Sequence, residues 1–203
     1  ALKATDAWDQ AAAARETNKQ RDAVALWNHH GRLASPNELI DQLKQQPRIP
    51  LFFWHHYDSR GRLPGSWMAV LHSLQKHGWQ VVVSSSELAP EVQEQLNIHR
   101  IPVLLRHNLG LCLGAYKDIC CLLNESDGVL DQRPQVVLAN DSTLPIGGPK
   151  RFFQVLSAMA EKQSKTTPQL DGMTDSIERD TYHLQSYLLM ANAPLLMHSS
   201  WKQ

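Results

Sequence analysis

Cysteine is scarce and oddly placed: Cys112, Cys120 and Cys121 are the only three, and none is spaced C-x-x-C with another. An odd, clustered set argues against a disulfide framework and against paired zinc ligands. Free thiols in a reducing compartment are the expectation. Charge of one sign is not in excess either, with 20 Lys+Arg against 20 Asp+Glu. A nucleic-acid binder normally shows a basic surplus, so nucleic acid is not an expected partner. No stretch approaches the ~20 apolar residues of a membrane-spanning helix. The most apolar late segment, Leu184 to Met197, is interrupted by Gln185, Ser186, Asn192 and Pro194. The N-terminus has no signal-peptide pattern. Walker loops and dinucleotide fingerprints are missing, since Gly110 and Gly114 stand apart as Gly-x-x-x-Gly and read equally as packing glycines.

What is present is a real core. The chain has 203 residues, 42% of them hydrophobic and 20% charged, enough for one α/β domain with an appendage. Residues 1–47 read as a helical lead-in. Ala11 to Arg21 are strong helix formers. Ser35-Pro36-Asn37-Glu38 has the form of an N-cap, a first-turn proline and a capping-box acid, opening a second helix that ends near Gln46.

From residue 48 to 203 the pattern changes. Leu51 to Trp54, Val81 to Val83, Ile101 to Leu105 and Val136 to Ala139 are short apolar runs, as buried strands are. Helical periodicity recurs between them, at Trp67–Leu74, Pro90–Gln95 and Ala115–Asn124. Such alternation predicts a mostly parallel central sheet with helices on both faces and right-handed crossovers. Phe152, Val155, Leu156 and Met159 predict another helix, Ser164 to Pro168 a polar, mobile loop, and His183 to Leu188 a helix.

Each apolar run ends in polar residues: His55 to Asp58, Ser84 to Ser86, Arg106 to Asn108, and Asn140-Asp141-Ser142. Ligands of open α/β sheets bind outside the carboxyl ends of the strands, so these ends predict one polar crevice. Asn-Asp-Ser is also ordinary turn chemistry. Arg106 and Lys117 suit a phosphate, although Arg106 taken alone reads first as a surface ion pair. Asp141, with Asp175 or His183, suits a divalent cation bridging a diphosphate, and a carboxylate suits a general base. His55-His56 also reads as a plain strand exit, and His183 as a half-buried structural histidine.

Five motifs in order resemble the rhamnan synthesis protein F family: Arg106-His107-Asn108-Leu109-Gly110, Gly114-Ala115-Tyr116-Lys117-Asp118, Leu138 to Ser142, Gly172 to Ser176, and His183 to Tyr187, preceded by His56-Tyr57-Asp58 with Gly61-Arg62. The likeness spans about residues 49 to 203. It implies a GT-A-like nucleotide-binding sandwich, plus the N-terminal helices, and transfer of a sugar from a nucleoside-diphosphate sugar to a glycan or lipid-linked acceptor in bacterial cell-surface polysaccharide assembly. Mg²⁺ or Mn²⁺ is the implied cofactor, and the cytoplasm or the inner face of the membrane the implied location. Carried over, Asn140-Asp141-Ser142 stands at the acidic motif with one acid only, Asp141 serving as both catalytic residue and metal ligand. Tyr57 and Asp58 stand at the nucleoside end, and Arg106, Asn108 and Lys117 near the diphosphate or sugar. Asp175 becomes the base and His183 the distal metal ligand. Where the family has an aromatic, an Asp and a Phe, this chain has Leu111, Cys112 and Leu113. The departure implies altered specificity or a non-catalytic carbohydrate- or nucleotide-binding domain. The family's fold continues past residue 203, so 48–203 is expected to be truncated at its C-terminus and to belong with other domains of a larger chain.

Overall fold

The computed structural model describes residues 36–106, 108, 110–130, 132–176 and 182–199. The helix expected over Ala11–Arg21, the Ser35 cap, and His107 and Leu109 of the Arg106 motif lie outside them. The elements in chain order are α1 (Pro36–Gln45), β1 (Leu51–His56), α2 (Gly65–Lys76), β2 (Gln80–Ser85), α3 (Pro90–Ile98), β3 (Val103–Leu105) and α4 (Leu111–Glu125). They continue as β4 (Gln135–Asn140), α5 (Gly148–Lys162), β5 (Leu170–Gly172), β6 (Asp175–Ser176), β7 (His183–Leu184), β8 (Leu188–Asn192) and α6 (Ala193–Leu196).

Six strands form one sheet in the order β3-β2-β1-β4-β8-β5, and β6 and β7 form a separate hairpin. The four strands β1 to β4 are parallel. β8 runs antiparallel between β4 and β5. The expected mostly parallel sheet is therefore present, with one reversed strand inside it. Chain direction across the sheet switches between β1 and β4: β2 and β3 build outward on one side, β4 on the other.

The apolar runs are continuous because both sheet faces are covered. Leu51, Phe52, Phe53 and Trp54 are each 0% exposed, and burying each such side chain stabilises the fold by about 1.5–3 kcal/mol. Phe52, Trp54, Val81, Val83 and Val137 face α2, α3 and α5 through Trp67, Leu71, Leu96 and Leu156. Leu51, Phe53, Val82, Leu104 and Val136 face α1, α4 and α6 through Leu39, Leu43, Tyr116, Ile119 and Leu196. Helices thus lie on both faces, and α1 belongs to the second layer. No helix among the described residues is long and apolar enough to cross a membrane.

Two expectations need correction, and one expected loop shows its ties. The segment His183–Leu188 is not helical: it is β7, a turn, and the start of β8. Leu188 and Met190 pack on one face of the sheet, Ala191 and Leu189 on the other. A strand buried on both sides has no polar alternation, and such a run looks like a buried helix. Helix α4 begins at Leu111, four residues before the predicted Ala115, after Gly110 in the left-handed region (φ 69°). The 164–168 loop, expected to be polar and mobile, is tied by side-chain hydrogen bonds. Asn192 Nδ2 donates to the Ser164 and Thr167 carbonyls (2.8 Å each). Its Oδ1 accepts from the backbone N–H of Gln169 and of Leu195 (3.0 Å each), so one side chain also caps α6.

Candidate functional site at the carboxyl edge of the sheet

The switch between β1 and β4 creates a crevice at their carboxyl ends, the usual ligand position in open α/β sheets. There His55 pairs in register with Asn140. Asp141 follows directly. Its backbone N–H donates to the His55 carbonyl (3.2 Å), and its Oδ2 accepts from the Tyr57 backbone N–H at 2.7 Å. Asp141 thus fastens the two strand ends together with one carboxylate oxygen. Its Oδ1 accepts no hydrogen bond among the described residues. Asn140 is buried and serves the turn: Nδ2 donates to the Ser186 carbonyl (3.1 Å), and Oδ1 accepts from the exposed Ser142's N–H (3.0 Å).

Tyr57 is half exposed at the rim. Asp58 closes the next loop, with Oδ1 accepting from the N–H of Arg60 (2.8 Å) and of Arg62 (3.3 Å). Those backbone donors, with the Arg62 guanidinium (3.6 Å), hold its carboxyl below the usual range. Gly61 sits in the loop at φ 66°, where a Cβ would stand 2.3 Å from the Ala89 nitrogen. Only glycine lets the loop lie on the Leu88–Ala89 backbone.

On the β1–β3 side the polar residues are buried. His55 Nδ1 lies 3.4 Å from Ser84 Oγ. Burial, then the nearby Arg106 charge and His56, pull its pKa down to about 4, so the ring is neutral at pH 7. His56 bridges Ser85 Oγ (3.0 Å) and the Arg62 carbonyl (2.8 Å). Since a carbonyl only accepts, Nε2 carries a proton there. Arg106 is 3% exposed and its Nε donates to Asp118 Oδ2 at 2.8 Å. Burial nevertheless raises the Asp118 pKa, against the pull of Arg106 and Lys117. His55 Nε2, Ser86 Oγ and Asn108 Oδ1 are buried without a hydrogen-bond partner among the described residues. Buried polar atoms are nearly always paired with protein or ordered water, so these three, at or just past the ends of β1, β2 and β3, call for a water or a polar ligand as partner.

Helix α4 covers one side of this edge. Tyr116 donates its hydroxyl to the Ser186 carbonyl (2.8 Å), and Cys112 Sγ lies 3.4 Å from Ser186 Oγ. Burial, with Cys112 beside it, pushes the Tyr116 hydroxyl well above its ordinary pKa, so it acts as a neutral donor. Lys117 is on the exposed side of the same helix. Asp175 and His183 are both exposed, on the β6–β7 hairpin that leaves the sheet at this edge, where Ser176 pairs with His183. Among the described residues no three His, Cys, Asp or Glu side chains converge. Among the described residues the free donor at Asp141 is one carboxylate oxygen, so a cation there would take most of its shell from water and a ligand's phosphates.

The edge thus brings together Tyr57, Asp58, Arg106, Asn108, Asn140, Asp141 and Ser142, with Asp175 and His183 out on the hairpin and Lys117 on the outer side of α4. His55, Ser86 and Tyr116 belong to it as well. The sequence signal for the first two was their place directly after apolar strand residues. A cleft of about 330 Å³ also opens at the opposite, amino edge, lined by Gln42, Gln45, Gln46, Gln75 and Arg100, and it shares no residue with this site. No protein-family model matches the sequence, and no curated protein does.

Proposed function

We propose that the chain is a GT-A-like glycosyltransferase that moves a sugar from a nucleoside-diphosphate sugar to a cell-surface polysaccharide or other glycan acceptor, in the cytoplasm or at the inner face of the membrane. The observation that supports it best is Asp141 at the β1–β4 switch, on the same sheet edge as buried polar atoms of His55, Ser86 and Asn108 that lack partners among the described residues. The first half of the sheet, β3-β2-β1-β4, has the strand order of the nucleotide-binding half of doubly wound folds. Such a half accommodates a nucleoside near Tyr57. Arg106 and Asn108 suit the diphosphate, and Lys117 adds positive charge. Mg²⁺ or Mn²⁺ would be held by Asp141 and the donor's own phosphates and would neutralise charge on the leaving diphosphate. Asp175 is the proposed base, taking the proton of the acceptor hydroxyl.

The test is thermal unfolding against a panel of nucleotide sugars, with and without the cations. Ligand at a hundredfold its Kd stabilises by about 2.7 kcal/mol, and about 2–4 °C per kcal/mol is expected for a chain of this size. Asp141→Asn keeps an oxygen for the Tyr57 N–H while removing the charge. It should keep the unliganded melting temperature and lose the ligand shift and the transfer. No shift with any nucleotide sugar would remove the proposal. The engagement of Asp141 Oδ2 with Tyr57 favours a second reading, a domain that binds nucleotide or carbohydrate without turnover. A ligand shift with no transfer, unchanged in Asp175→Asn, would select it.

A further inference from the structure

The loop that follows Asp141 and Ser142 is ordered, yet it turns its largest apolar side chains outward. Ile146 is 87% exposed and Leu144 64%. The order comes from several fastenings. Trp67 Nε1 donates to the Thr143 carbonyl at 2.9 Å. The Ile146 N–H donates to the Leu144 carbonyl (2.8 Å), and the Gly148 N–H to the Pro145 carbonyl (3.1 Å). Gly147 and Gly148 both take positive φ, 96° and 74°, and Arg151 lies against the Gly147 Cα with no room for a side chain between them. A loop held this firmly does not expose Ile146 for want of structure. Leu144, Pro145, Ile146, Phe152 and Met173 line an apolar slot of about 150 Å³, and Met173 arrives from the β5 end, so the patch spans two elements.

Charge is as uneven as polarity. Lys150 and Arg151 are exposed at the start of α5, and from Thr143 to Ala160 there is no acidic residue. Apolar side chains flanked by cations match the chemistry of an anionic bilayer surface. There, apolar groups enter the acyl boundary while Lys and Arg meet the headgroups. A water-soluble anion would not need Ile146, and an apolar protein partner would not need the cations.

We propose that the segment 143–151, the loop and the first turn of α5, docks this protein on anionic lipid membranes, with Leu144 and Ile146 inserted and Lys150 and Arg151 on the headgroups. Because the loop begins one residue after Ser142, docking turns the carboxyl edge of the sheet toward the membrane. The contact stands whether or not the protein is a transferase.

The experiment is co-sedimentation of the chain with phosphatidylglycerol-containing vesicles and with phosphatidylcholine vesicles. Binding is expected to the first and not to the second, and to fade at about 0.5 M salt, where screening is short-ranged. Ile146→Asp is expected to lower the partition coefficient about tenfold or more, as loss of one inserted side chain does. Lys150→Ala with Arg151→Ala should lower it by a similar factor. Ile98→Asp changes an exposed apolar residue at the other edge of the sheet (67% exposed) and should leave it unchanged. All these residues are on the surface, and matching circular dichroism and melting curves establish that each variant is folded. Absence of vesicle binding, indifference to lipid charge, or equal effects of Ile98→Asp and Ile146→Asp would each overturn the proposal. Nucleotide-sugar thermal shifts are read separately in solution, so failure of the donor site and failure of the lipid contact are distinguishable.

Discussion

Two residues at the carboxyl edge make opposite demands on the chain. Gly61 is needed for what it lacks: any Cβ meets the Ala89 nitrogen at 2.3 Å, and the positive φ strains a side chain besides. Gly61→Ala is expected to cost about 2–4 kcal/mol, measured by urea denaturation, and to loosen the Tyr57–Arg62 loop at the site's rim. His55 is needed for its neutrality. Its folded pKa of about 4 is below the ordinary 6.5, so the unfolded chain binds the extra proton first. Its contribution is fully present above pH 6.5 and is lost as pH falls through 6.5 toward 4, by up to about 3 kcal/mol. Subtracting the pH profile of His55→Gln from that of the parent isolates this slope from opposing groups such as Asp118. Equal slopes in the two proteins would contradict the assignment. That Asp141 stands at a strand end was legible in the sequence. That one of its oxygens is engaged by the Tyr57 backbone was not, because a main-chain donor leaves no trace in residue identity.

At the level of elements, α1 packs on the sheet through Leu39 and Leu43, and one buried side chain adds polar ties across that contact. Arg133, 0% exposed, donates to the carbonyls of Ile49 (2.9 Å) and Leu43 (2.8 Å) and to Gln80 Oε1 (2.6 Å). Leu43 lies in the last turn of α1, whose carbonyls lack partners within the helix. Arg133→Met keeps most of the volume and removes three hydrogen bonds, one of them fully buried. We expect a loss of about 3 kcal/mol or more and new proteolytic cleavage between Gln45 and Pro50, with the sheet still resistant. Strands β1 to β4 could be read from sequence because two-sided burial makes apolar runs that polar turn residues bound sharply. β5, β6 and β7 could not: at two or three residues they are too short for any period to register. β8 had the run but not the contrast. Its Leu188-Leu189-Met190-Ala191 fills both faces, and only the partners β4 and β5 decide between strand and helix.

Across the whole molecule, the two edges of the sheet differ in kind. Tyr57, Leu111, Leu144, Ile146, Met173 and Tyr182 are large, apolar or aromatic, and exposed in segments around the carboxyl edge, whereas the amino edge presents glutamine amides, with Ile98 and Leu170 also exposed along it. The reversed strand β8 has its own consequence, in time rather than in space. β5 is paired only to β8, and β8 fills the side of β4 away from β1. During synthesis, β1 to β4 emerge complete while the edge of Val136-Val137-Leu138-Ala139 stays unpaired for about 50 more residues, a few seconds at ribosomal speeds of about 5–20 residues per second. In that interval the nascent chain displays an apolar parallel sheet with an open flank, the kind of edge that recruits other strands. Expression yield should therefore depend on how promptly the last strand arrives, and a stall after β4 would be more damaging than one after β3.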